Sequence, residues 1–236
     1  MNTHPAAFIT GATEGIGRAT ALMLGRAGYR IGICARTPSK IRETLEEFAA
    51  AGVQAIGYPA DVGVEADVRL AVSETLKSLG TIDLLVNNAG IALLKPFEEL
   101  TLGDWDATMA TNLRSLYLVT REVLPVMRAR KSGTIVNIAS LAARNGFAGG
   151  TAYTASKHAV LGFGRSLMME VRQDGIRVVT ICPGSVDTAL IRNQGQLKPR
   201  LERILQPEDV AQAVLDAVRL PGRALVSELD LRPTTP

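Results

Sequence analysis

Apolar runs of strand length alternate with segments of helical period along nearly the whole chain, and this alternation restricts the fold more than any other feature. The strand-like runs are Ala6–Thr10, Arg30–Ala35, Val53–Tyr58, Ile82–Asn87, Thr134–Ala139, Ile176–Cys182 and Ala224–Glu228. Between them the apolar positions recur at helical spacing over Gly15–Ala27, Pro38–Ala51, Val64–Leu79, Leu102–Arg130, Thr151–Gln173 and Pro207–Leu220. Gly28, Gly52 and Gly80 stand where helices stop, and Pro207-Glu208 opens the last one. Strand, helix, strand in this order needs a crossover after every strand. It therefore predicts an α/β fold: a parallel sheet covered by helices on both faces and wound right-handedly. With 236 residues, 47% of them hydrophobic, the chain can bury a large core. No repeat, linker or low-complexity tract divides it, so residues 1–236 read as one domain whose tail, Arg232–Pro236, is expected to fray.

Several function classes are excluded at this level. The formal net charge is +3, but Lys and Arg are interspersed with Asp and Glu and form no block, which argues against a nucleic-acid partner. No apolar stretch approaches the roughly 20 residues that span a bilayer, so no membrane partner is expected. The chain runs from Met1 into a strand within six residues, leaving no room for a signal peptide, and a cytoplasmic location is expected. Cys34 and Cys182 each lie in an apolar run, as buried thiols of a reducing compartment do. Neither has a Cys or His at metal-ligand spacing, and His4 and His158 belong to no motif, so no metal is expected.

Three glycines, Gly11, Gly15 and Gly17, follow the first strand in "FITGATEGIG" and lead into the first helix. In an open parallel sheet that junction lies at the carboxyl ends of the strands. A helix N-terminus there offers free N–H donors and partial positive charge to a pyrophosphate, and glycine lets phosphates approach the backbone. The spacing is G-x-x-x-G-x-G, not the general G-x-G-x-x-G, and alone it is equally compatible with tight turns. Other segments reach the same edge: Arg36 after the second strand, Asp61-Val62 after the third and Asn87-Asn88-Ala89-Gly90 after the fourth. Arg36 stands where the ribose 2′ substituent of an adenine dinucleotide arrives, about 20 residues past the loop; an acid there favours NAD and a cation favours NADP. NADP is therefore expected over NAD, with Thr37 and Ser39 as further hydroxyl donors and Glu14 as an opposing charge if it points inward.

A second constellation is "YTASK", Tyr153–Lys157, on a helical segment. Spacing i, i+4 puts both side chains on one face. A phenol with a pKa near 10 is a poor base alone, but a nearby ammonium stabilises its phenolate and lets it exchange a proton with an alcohol or carbonyl. Ser140 ends the fifth strand, at the same edge, where its hydroxyl can bond a substrate oxygen. Asn112 is a polar residue in a mostly apolar helix and needs partners if buried. Pro183-Gly184 ends the sixth strand in a rigid turn suited to walling a nicotinamide.

Taken together, "TGATEGIG", Asp61-Val62, "NNAG", Asn112, Ser140, "YTASK" and "PGSVDT" resemble the short-chain dehydrogenase/reductase family over about residues 6–190. The resemblance implies a Rossmann-type doubly wound, seven-stranded sheet in a single domain. It implies a catalytic tetrad: Tyr153 exchanges the proton, Ser140 holds the substrate oxygen, Lys157 lowers the tyrosine pKa and grips the nicotinamide ribose, and Asn112 holds a relay water. It implies cofactor contacts at Gly11, Thr13, Gly15, Ile16, Gly17, Arg36, Thr37, Asp61, Val62, Asn88, Tyr153, Lys157, Pro183, Gly184, Val186 and Thr188. The implied substrate is a small-molecule carbonyl or secondary alcohol, and the implied assembly is a homodimer or homotetramer on the fourth and fifth helices, whose apolar faces run more than halfway round. A short, polar lid is expected at 185–206, with Arg192, Lys198, Arg200 and Arg203 either drawing an anionic substrate or lying solvated. The segment "MRARKSGTIVNIAS", with Arg128, Arg130 and Arg172, is similar to reductases of 3-oxoacyl thioesters, whereas the C-terminus "ALVSELDLRPTTP" lacks their glycine-rich turn. An NADP-linked oxidoreductase is thus the first reading, with a 3-oxoacyl-thioester reductase, or a nucleotide-binding regulator without turnover, as the alternatives.

Overall fold

The structure is a computed structural model, which describes residues 4–193 and 200–234. Seven strands, β1 (Ala6–Thr10), β2 (Arg30–Ala35), β3 (Ala55–Pro59), β4 (Leu84–Asn87), β5 (Gly133–Ile138), β6 (Ile176–Pro183) and β7 (Glu228–Leu231), form one sheet in the order 3-2-1-4-5-6-7. Every pairing is parallel. The helices are α1 (Gly15–Arg26), α2 (Pro38–Ala50), α3 (Glu65–Leu79), α4 (Leu102–Met109), α5 (Ser115–Arg130), α6 (Thr151–Val171), the single turn α7 (Ala189–Arg192) and α8 (Pro207–Arg219).

Alternation along the strands fills two cores, because successive side chains point to opposite faces. Ala7 and Ile9 of β1 join Ile31, Ile33, Val136 and Ile181 under α1, α2 and α8, where Leu24, Phe48 and Val214 pack. Phe8 joins Leu85, Ile135 and Val178 on the other face, under Val72 of α3, Val123 and Met127 of α5 and Val171 of α6. The chain winds outward in one direction through β1, β2 and β3 and in the other through β4 to β7. The sheet's order therefore reverses between β1 and β4, and the crevice over their carboxyl ends is where such sheets bind ligands.

The elements differ from the sequence expectation in two places. The helix expected over Leu102–Arg130 is broken by a π-helical turn at Ala110–Arg114, which holds Asn112. The last strand is Glu228–Leu231, not Ala224–Glu228. It is an edge strand whose two faces meet different surroundings, so an apolar run is the wrong signature: Leu229 and Leu231 pack on the core while Glu228 and Asp230 meet Arg144. In the tail expected to fray, the described residues run as coil past β7, with Pro233 against Gly184 and Arg232 3.6 Å from Asp230, and residues 235–236 lie outside the described residues.

Candidate active site

The glycine loop is shaped by contacts that forbid side chains. Gly11 and Gly15 have φ of +65° and +54°, a region costly for other residues. Gly17 is conventional in φ, but a Cβ there would strike the Asn88 amide and lie 2.5 Å from the Gly11 carbonyl oxygen. Asn88 is the brace of this loop: its Nδ2 donates to the carbonyls of Thr10 (2.9 Å) and Gly11 (3.1 Å), and its backbone N–H donates to Thr10 Oγ1 at 3.0 Å. The first helical turn of α1 behind the loop has no side-chain cap, so its N–H groups stay available to an anion.

A cleft of about 570 Å³ runs from this loop along the strand ends. Every expected site residue lines it except Gly17 and Asn112, which act from behind its wall. At the far end from Tyr153 lie Arg36 and Thr37, with Asp61 and Val62 beyond β3; the Asp61 carboxylate accepts from the Gly63 N–H at 2.8 Å and shapes that turn. Ser39, expected beside Arg36, does not line the cleft. Lys40 does, one residue further on and at the start of α2, and its ammonium meets the Glu14 carboxylate at 3.2 Å. Lys40 was missed because a lone lysine early in a helix carries no sequence signal; only the turn of α2 aims it at the cleft.

At the other end Tyr153, on the first turn of α6, and Ser140, at the end of β5, line the cleft together, and the Ser140 hydroxyl acts on the phenol. Ser140 Oγ also accepts from the Ala142 N–H at 3.1 Å, which fixes the hydroxyl's place. Lys157 is 5% exposed; its Nζ donates to the Ile138 carbonyl at 3.0 Å and stands 5.8 Å from the Tyr153 ring centroid. Burial pulls its pKa down to about 8. The Tyr153 phenol is pushed above its ordinary 10 by burial, with the Ser140 hydroxyl pulling the other way. Desolvation penalises the phenolate, and the positive charge of a nicotinamide, which the expected lowering of this phenol includes, is not among the groups that act on it here.

Asn112, expected to need partners if buried, has them. It is 1% exposed, and its side chain is consumed by structure: Oδ1 accepts from the Ile91 N–H at 2.8 Å, while Nδ2 donates to the Ile91 carbonyl at 2.9 Å and to Ser156 Oγ at 3.0 Å. Ser156 Oγ in turn donates to the Tyr153 carbonyl at 2.7 Å. Through these bonds the side chain ties the Gly90-Ile91 wall to the helix bearing Tyr153. Ser156, inside "YTASK", was the missed member of this chain.

Behind Pro183, the Gly184 N–H donates to the Leu231 carbonyl at 2.8 Å. Val186 bridges Leu205, and the Asp187 N–H donates to the Leu205 carbonyl at 2.8 Å, so the segment expected to be a lid is closed at its neck. Thr188 starts α7 against Gly15. Residues 194–199 of the expected lid, Lys198 among them, lie outside the described residues. Arg192 is held by Asp187, while Arg200 and Arg203 are exposed and do not line the cleft. Arg128 and Arg130 pair with Asp174 and Asp83, next to the starts of β6 and β4, and Arg172 lies beside Asp174. All three stand at the amino edge of the sheet, away from the cleft. No metal-ligand cluster occurs among the described residues, and no helix among them is long and apolar enough to cross a membrane.

A family model described as short chain dehydrogenase matches residues 5–198. The chain belongs to the short-chain dehydrogenase family. It is an oxidoreductase of that family, with the expected seven-stranded architecture. A ketoacyl reductase named as putative from Streptomyces coelicolor is 35% identical over 94% of this chain and 92% of its own. A dehydrogenase subunit from Thauera aromatica, named for (2S)-[(R)-hydroxy(phenyl)methyl]succinyl-CoA, is 37% identical over 89% of this chain and 87% of its own. Among solved structures, a tryptophan variant of the actinorhodin polyketide ketoreductase with NADPH superposes with a TM-score of 0.93 at 33% identity, covering 99% of this chain and 97% of that one. A metagenomic short-chain oxidoreductase in complex with NADP gives 0.86 at 35% identity, with 98% of each chain covered.

Proposed function

We propose that this short-chain dehydrogenase interconverts a carbonyl and a secondary alcohol with NADP(H), Tyr153 exchanging the proton. The observation that carries the reading is Tyr153 and Ser140, with Lys157 behind the tyrosine, lining one end of a cleft whose other end holds Arg36 and Lys40. The groups present fit a dinucleotide: a loop that side chains would fill, uncapped helix N–H groups for a pyrophosphate, and cations where a 2′-phosphate arrives. When bound, the nicotinamide supplies or accepts the hydride.

The chain's own residues do the rest. Gly11, Thr13, Gly15 and Ile16 form the pyrophosphate cradle, and Gly17 and Asn88 keep it in shape. Arg36 and Thr37 take the 2′-phosphate end, Asp61 and Val62 bound the adenine, and Pro183, Gly184, Val186 and Thr188 flank the nicotinamide. Ser140 orients the substrate oxygen beside Tyr153 Oη. In reduction the phenol proton passes to that oxygen, and in oxidation it returns. Lys157, charged below a pH of about 8, stabilises the phenolate that reduction leaves. Asn112 is the positioning residue of the tetrad. NADP is favoured over NAD by Arg36 and by the NADPH and NADP in two structural neighbours.

A second reading, reduction of a 3-oxoacyl thioester, is favoured by the names of relatives such as the Streptomyces coelicolor ketoacyl reductase. The exposed Tyr117 of α5 and Met169 of α6 support a homodimer or homotetramer, and two free buried cysteines support a cytoplasmic location. The test is a screen of NADPH against NADH oxidation with ketones, diketones, quinones and acyl thioesters. Tyr153→Phe should lose at least about 100-fold in kcat while NADPH affinity stays within a few-fold, and Arg36→Asp should move preference towards NADH. Saturable NADPH binding without turnover on any substrate class would favour the regulator instead.

A further inference from the structure

Among the described residues, the substrate end of the cleft carries no unpaired charged side chain in its lining. Beyond Tyr153 its wall is made by Leu94, Leu141, Phe147, Leu190 and Ile191, with Asn145 and Ser185 as neutral polar groups. Three cations stand on the segments around this end, and each is already spent. Lys95 meets Asp104 at 2.8 Å, Arg144 bridges Glu228 (2.5 Å) and Asp230 (3.1 Å), and Arg192 grips both oxygens of Asp187 at 2.6 and 2.8 Å. Lys157 is charged, but it lies buried behind the tyrosine with its ammonium on the Ile138 carbonyl. Among the described residues the other cations that line the cleft are Arg36 and Lys40, which is paired with Glu14, and both are at the cofactor's phosphate end.

Phe147 is the exception to a wall of half-buried aliphatic groups. It is 40% exposed, edge-on to Tyr153 with ring centroids 6.5 Å apart. Its place is built. A Cβ on Gly150 would lie 2.5 to 2.8 Å from the ring, so only glycine lets the ring seat there, and Gly149 turns the chain at φ +75°. The Gly149 carbonyl accepts from the Lys95 N–H at 2.9 Å, tying this turn to the strip that carries Leu94. An aromatic ring held at the mouth beside the catalytic hydroxyl offers its exposed face to a flat apolar group.

The geometry points to a substrate class: a neutral ketone bearing an aryl or similarly flat apolar group, with Phe147 as the residue that selects it and with carboxylates refused. This rests on the carbonyl-reductase reading above. A carboxylate entering this end would lose water without gaining a counter-charge, which is costly, whereas an ester or amide of the same shape would not.

The experiment compares methyl 4-acetylbenzoate, 4-acetylbenzamide and 4-acetylbenzoate as substrates of the full chain with NADPH, and measures NADPH affinity separately by fluorescence. The ester and the amide should both exceed the carboxylate in kcat/KM by at least about 30-fold, the price of an unpaired charge. Phe147→Ala should lower the ratio of kcat/KM for the ester to that for butanone about tenfold, with NADPH affinity within about twofold. A carboxylate turned over as well as the ester, or a Phe147→Ala loss shared equally by butanone, overturns this inference and leaves the oxidoreductase reading standing. NADPH binding with no reduction of any of these ketones overturns both.

Discussion

Removing the Asn112 side chain should damage stability before chemistry, and the size follows from its partners. In Asn112→Ala the Ile91 N–H and carbonyl lose bonds of 2.8 and 2.9 Å, while Ser156 keeps its bond to the Tyr153 carbonyl. Each orphaned group costs about 1–3 kcal/mol, and because Ile91 is half-buried, water recovers part of that, leaving about 2–4 kcal/mol in total. For a chain of this size that lowers Tm by about 4–16 °C. Activity should fall as well, because the wall at Gly90-Ile91 is no longer held against α6. A Cβ on Gly90 would lie 3.4 Å from Asn112 Oδ1 and 3.6 Å from Lys157 Nζ, which shows how closely that wall abuts both. The assay is thermal unfolding beside steady-state kinetics, with Asn112→Asp as the companion. Aspartate keeps an acceptor for the Ile91 N–H but sets an oxygen against the Ile91 carbonyl, so it should be destabilised at least as much. A Tm within about 1 °C of the parent combined with a kcat loss above about 100-fold would refute the reasoning, since the side chain would then be acting on the reaction itself.

Glu14→Gln should free Lys40 for the 2′-phosphate end; the pair is exposed and worth little alone, so NADPH affinity should rise a few-fold by fluorescence titration with NADH unchanged. Gly17→Ala should cost about 1–3 kcal/mol in denaturant unfolding and weaken NADPH binding, because the new methyl collides with the Asn88 amide and the Gly11 carbonyl; unchanged binding would separate Asn88 from the loop's function. Lys157 makes activity and stability respond oppositely to pH. Its folded pKa of about 8 lies below the ordinary 10.5, so between those values the unfolded chain holds more protons and this residue's contribution to stability rises with pH. Over the same window the ammonium beside Tyr153 is lost, and kcat/KM for reduction should fall as pH passes about 8. Measuring both from pH 7 to 9.5, with Lys157→Met as the reference for stability, checks the sign of each.

The sheet, its parallel sense and the edge carrying the site were all legible in the sequence, because apolar periodicity reports burial and a crossover helix after each strand leaves a single edge for the junction loops. The glycines, Arg36 and Ser140 were legible because each follows a strand end, and Tyr153 and Lys157 because their i, i+4 spacing sets both on one helix face. What the sequence could not decide was how polar groups spend their bonding capacity. Asn112 needed partners, but only the fold shows that they are Ile91 and Ser156; Lys40 carried no signal and faces the cleft against Glu14. The last strand was misplaced because its acids are answered by Arg144 and Arg165, residues 84 and 63 positions away from Glu228. Periodicity is a local property that survives in one dimension. Hydrogen-bond partners and counter-charges are set by which distant segments meet, and only the folded chain determines that.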